Sequence, residues 1–173
     1  ARAGQLTQVR ELLAELRNCQ RFLQSQWFLP FVAEACYLTS DVALAELAYE
    51  RLLPFRASFW PAHYPVSMTF FPPYTQPLGL LAMTLGRWDE ATEHLQDALA
   101  RCESIALYAH IARLRCEYAM ALLGRGGADD GARARQLLWQ ARKLAMELAQ
   151  DGLLPLIDAQ EGIAAARGVA APE

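Results

Sequence analysis

Residues 78–91 read Leu78-Gly79-Leu80-Leu81-Ala82-Met83-Thr84-Leu85-Gly86-Arg87-Trp88-Asp89-Glu90-Ala91, and the pattern continues through His94-Leu95 and Ala98-Leu99. Apolar residues recur at three- and four-residue steps on both sides of Gly86, the period that gathers them on one helical face. Gly86 suits the left-handed backbone that ends a helix, and Asp89 suits the N-cap of the next. The stretch therefore predicts two helices joined by a tight turn. Gly79, Ala82, Ala91 and Ala98 are expected where those helices cross, because bulkier side chains would hold the backbones apart.

The same periodicity extends outward in both directions. Leu6, Val9, Leu12, Leu13 and Leu16 define a first helix, and Phe28, Val32, Ala35 and Cys36 a second with Pro30 in its opening turn. Thr39, Ser40 and Asp41 predict a new N-terminus, after which Val42, Ala45, Ala48, Tyr49 and Leu52 run to Pro54. Beyond Cys102, one helix carries Ile111, Leu114, Tyr118, Ala121 and Leu122 into a terminator at Gly124, Gly126 and Gly127. Asp129 and Asp130 are expected to cap a long helix with Ala134, Leu138, Ala141, Ala145 and Leu148 on its apolar stripe. Gly152 and Pro155 precede a last, weaker helix that fades at 168–173. About eight helices with short connections predict an all-α chain with antiparallel neighbours. Gln96 and Gln140 fall outside the stripes and are expected to be silent when replaced.

Composition sets the outer bounds. The chain has 173 residues, 54% of them apolar, and a net charge of -3. That length suffices for one domain, 1–173, with a sizeable core. No apolar run approaches the roughly 18 residues of a transmembrane helix, and the first thirty residues lack the order of a signal peptide, so a cytoplasmic setting is expected. The mildly acidic balance supplies no broad positive field for nucleic acid or a membrane surface. Fifteen arginines stand against the single Lys143, a bias expected of GC-rich bacterial coding. The opening residue is Ala1, within helical sequence, so a piece of a larger protein is expected.

Small residues repeat along successive helix pairs: Val32-Ala33, Cys36, Ala45 and Tyr49 first, then Leu78-Gly79, Ala82, Ala91, Leu95 and Ala98, then Ala134, Leu138 and Ala141. Their spacing resembles the tetratricopeptide repeat. Residues 78–91, His94-Leu95 and Ala98-Leu99, with Ala112-Arg113, Glu117-Tyr118-Ala119, Leu122-Leu123, Ala134-Arg135-Gln136-Leu137-Leu138 and the earlier Leu29-Pro30 and Leu52-Leu53-Pro54, resemble the C-terminal helical repeats of large bacterial signalling ATPases. Those include LuxR-type and MalT-like transcriptional regulators and ATPases fused to adenylate cyclase domains. The resemblance implies a right-handed solenoid of helical hairpins that receives a protein or peptide partner, or a ligand, and acts on the other domains of a regulator.

The residues themselves carry little chemistry. No glycine-rich turn leads into Gly-Lys-Ser or Gly-Lys-Thr, so no phosphate-binding loop is present in the sequence. Cys19, Cys36, Cys102 and Cys116 include no Cys-x-x-Cys pair and lie on or near apolar stripes, where a thiol serves as a small hydrophobe. His63, His94 and His110 match neither the zinc-protease nor the di-iron helix signature. Glu90 and His94 are expected as a surface pair. Arg113, Arg115, Arg133, Arg135 and Arg142 form either a basic patch or, more blandly, a set paired with nearby acids. Neither a metal, a cofactor nor a catalytic residue is expected, and the chain reads as a non-enzyme.

Residues 55–74 stand apart, with seven aromatics and four prolines and no period. A twenty-residue connection in a compact domain is functional or disordered, and this composition disfavours disorder. Joining the first helices, 1–54, to the further pairs, 75–167, it is expected to form a plug whose Phe59, Trp60, Phe70 and Phe71 cover apolar surface left by the long joint. As the candidate binding surface we single out Trp60, His63, Tyr64, Phe70, Phe71 and Tyr74, whose rings offer flat contact area and polar tips. A small-ligand or enzymatic site beneath this segment, with His63 and Tyr64 as its polar members, is the alternative.

Overall fold

A computed structural model describes residues 7, 8, 11, 23–59 and 72–167. It is all-helical: α1 (Leu29–Thr39), α2 (Val42–Leu52), α3 (Thr75–Thr84), α4 (Trp88–Ser104), α5 (Tyr108–Arg125), α6 (Asp130–Glu147) and α7 (Leu154–Ala166). Short 3-10 turns follow α2 at Leu53–Phe55 and precede α7 at Asp151–Leu153. Seven α-helices among the described residues stand against the eight expected; most of the first expected helix lies outside them, with Thr7, Gln8 and Glu11 helical and exposed. No helix among the described residues is long and apolar enough to cross a membrane. The chain forms two compact units, residues 1–87 and 88–173, so the boundary falls inside the segment read above as one hairpin.

In the first unit α1 packs on α2, α2 on α3 and α1 on α3. Ala33, Cys36, Ala45, Ala48 and Ala82 have no solvent exposure, which lets the three backbones approach closely. The Asp41 carboxylate accepts the Leu44 N–H at 3.1 Å and starts α2 as the sequence predicts. α3 is buried from Thr75 to Met83, as expected of a helix apolar all round. Arg87, just past α3, ties back to α2: its Nη2 donates to both Glu46 oxygens, at 2.7 and 2.9 Å, and its guanidinium lies over the Tyr49 ring.

In the second unit α4, α5, α6 and α7 each pack on the next, and α5 also packs on α7. Ala91, Ala98, Ala119, Ala134 and Ala141 are among the fully buried small residues here. The glycine-rich joint does more than terminate α5. Gly126 takes φ 73° and donates its N–H to Leu122 O at 2.9 Å. Gly124 seats the Trp88 ring, because a Cβ there would lie 2.3 Å from two ring carbons. The expected caps at Asp129 and Asp130 are corrected: Asp129 makes no capping bond, while the buried Asp130 receives two bonds from Arg125, at 2.6 and 2.8 Å, and the Gly127 N–H at 2.8 Å. Arg125 also donates to Thr92 Oγ1 at 3.1 Å, so one guanidinium joins the start of α4, the end of α5 and the start of α6.

Four helices end alike. Ser40, Gly86, Ala106 and Ala149 are left-handed, and the next N–H closes a six-residue turn onto the helix: Asp41 to Cys36 O, Arg87 to Ala82 O, Leu107 to Cys102 O and Gln150 to Ala145 O, at 2.8–3.1 Å. Sequence foresaw only Gly86. Asp89 lies in the first turn of α4, not before it. Phe28, Val42 and Leu148, assigned to core stripes, are 45, 55 and 41% exposed. Gln96 is engaged where the sequence gives it no partner: its Oε1 accepts the hydroxyl of the buried Tyr118 at 3.1 Å.

Two predictions follow from these joints. An alanine in the left-handed region costs about 1–2 kcal/mol, against about 0.5–1 kcal/mol for the extra unfolded freedom of glycine. Ala106→Gly and Ala149→Gly should therefore each raise stability by about 0.5–1 kcal/mol, read as a higher urea midpoint at unchanged slope; a lowered midpoint would refute the cap assignment. The bonds from Arg125 hold the Asp130 carboxyl below the usual carboxylate range. A depressed folded pKa contributes stability above the unfolded value of about 3.9 that is lost as pH falls through the folded value. Asp130→Asn should cost about 1–3 kcal/mol at pH 7, and the gap from wild type should narrow on acidification below about pH 4. A gap independent of pH would show that the ion pair does not act.

Candidate functional site

The base of the aromatic segment is built from two short contacts. Phe59 and Pro73 form an isolated antiparallel bridge, the only β pairing among the described residues, and the Tyr74 N–H donates to Ser58 O at 3.1 Å. The 3-10 turn after α2 and the start of α3 thus bring the two ends of the segment side by side. Trp60, His63, Tyr64, Phe70 and Phe71 lie outside the described residues.

Tyr74 is described, and its placement corrects the sequence reading. It is fully buried and so presents no contact area to a partner. Its ring stands 5.8 Å from that of Phe55, and its hydroxyl donates to Gln26 O at 3.3 Å. Burial raises its phenol pKa above the ordinary value. Tyr74 is an anchor, holding the residues before α1 and the turn after α2 against the start of α3. Composition alone missed this, because a tyrosine count does not distinguish a ring that plugs from one that presents.

The other candidates resolve individually. Cys36, Cys102 and Cys116 are reduced thiols without solvent exposure. Burial pushes Cys102 up to about 11 and Cys116 up to about 12, far from the range in which a thiolate nucleophile works at neutral pH. Cys19 lies outside the described residues. His94 is buried at 7% exposure, so the surface pair expected with Glu90 is not a surface feature.

Three of the five arginines are paired, as the blander reading expects. Arg113 donates to the buried Glu117 at 2.7 Å and Arg115 to Glu103 at 2.9 Å. Arg142 reaches across from α6 to Asp158 and Glu161 of α7. Arg133 lies 5.2 Å from the Tyr118 ring centroid. Arg135 keeps Nε and Nη1 buried without a hydrogen-bond partner, and nothing in the structure explains it.

What sequence reasoning missed is the set of large apolar side chains on outer faces. Phe28, just before α1, is followed at helical spacing by Phe31 and Leu38 on it, with Phe31 58% and Leu38 57% exposed. Trp139 and Met146 repeat this on α6, seven residues apart, at 55 and 65% exposure, with the Lys143 ammonium over the Trp139 ring. A signal was available: Phe31, Leu38, Trp139 and Met146 fall off the stripes that the buried alanines define. Among the described residues no group of three or more His, Cys, Asp or Glu is placed to hold a metal ion.

The buried thiols should resist a small alkylating reagent in the native protein at pH 7–8 and become fully reactive in denaturant. Serine at Cys102 or Cys116 should keep the helical spectrum and cost about 1–3 kcal/mol. Rapid native labelling of either would contradict the burial. Tyr74→Ala should cost about 3–5 kcal/mol and Tyr74→Phe about 1 kcal/mol by urea denaturation. A negligible loss in both would return Tyr74 to the surface set.

Comparison with known protein families, with curated proteins and with solved structures finds no match to this chain.

Proposed function

We propose that this chain is a non-catalytic helical-repeat module: a right-handed solenoid of tetratricopeptide-like hairpins whose work is to take up a protein or peptide partner. The observation that carries the reading is the order of packing. Each helix lies on its successor within its unit, and alternate helices, α1 with α3 and α5 with α7, also touch. Stacked hairpins need that order, and the fully buried alanines at the crossings make it sterically attainable. Stacking of this kind leaves extended faces open, and here those faces retain Phe31, Leu38, Trp139 and Met146. Large apolar and aromatic groups held at a surface are typical of binding anchors. The resemblance to the repeats of LuxR-type and MalT-like regulators supports the same reading and adds its setting, in which partner uptake in the bacterial cytoplasm acts on the other domains of a signalling protein.

A photo-cross-linking residue at Phe31 or Trp139, with exposed Glu93 of α4 as control, tests this in the cells of origin. One protein should be captured from the first two positions and not from the control. That protein, purified, should bind the purified chain, and Phe31→Ala or Trp139→Ala should weaken binding at least about fivefold, or about 1 kcal/mol, without changing helicity. Binding unaffected by both substitutions, or capture of nothing above the control, would overturn the proposal.

A further inference from the structure

We draw no further inference here: the strongest candidate, the exposed apolar face of α1 at Phe28, Phe31 and Leu38, carries nothing because nothing in the structure shows what covers it.

Discussion

Two helices pack closely only where the side chains between them are small, and the chain meets that condition repeatedly. Ala45, Ala82, Ala91, Ala98, Ala134 and Ala141 have no exposure at all. Each contributes little apolar area of its own. Their effect is geometric, letting leucines such as Leu44, Leu78, Leu95 and Leu138 on the same helices reach fully buried positions. At roughly 25 cal/mol per Å2, those larger side chains supply most of the favourable burial, but only because the alanines do not keep the backbones apart. The turns, ion pairs and surface faces all take their positions from that spacing.

Polar groups act at the ends of the helices. Arg125 and Asp130 sit where the starts of α4 and α6 meet the end of α5, and the Asp130 carboxylate also accepts the N–H of Gly127 in the joint between α5 and α6. Asp130 is buried and Arg125 is half-exposed, an arrangement in which the carboxylate receives three N–H donors while the cation keeps some water. Arg142, on the α7 side of α6, plays a similar part toward Asp158 and Glu161. Charge in this molecule therefore fixes helix ends and seams, and the basic cluster suggested by the arginine-rich sequence is largely consumed in that role.

How much of this was legible in the sequence depends on whether the information is local. Helical stripes are local, and Ala91, Leu95, Ala98, Leu114, Leu122, Leu138 and Ala145 are buried as their spacing implied. The left-handed turn at Gly86 is local too. Ser40, Ala106 and Ala149 adopt the same conformation without a residue that announces it, because the six-residue closing bond and the next helix impose it. Asp129 and Asp130 look alike as caps, and only the position of Arg125 in space distinguishes them. Phe28, Val42 and Leu148 have core chemistry at stripe edges, where burial depends on whether a neighbouring helix is present. Of the candidate surface, only Tyr74 is described, and the buried surroundings that make it an anchor come from residues as distant as Gln26 and Phe55.

The bridge between Phe59 and Pro73, backed by the Ser58 to Tyr74 bond, closes the aromatic connection at its neck. Pinning the two ends there sets the spacing between the 3-10 turn after α2 and the start of α3. Doubling such a loop costs only about 0.6 kcal/mol of closure entropy, less than the loss of one well-packed methylene. The neck thus fixes the two points at which the connection leaves and rejoins the helices of the first unit, so a change in its length is felt there mainly as closure entropy.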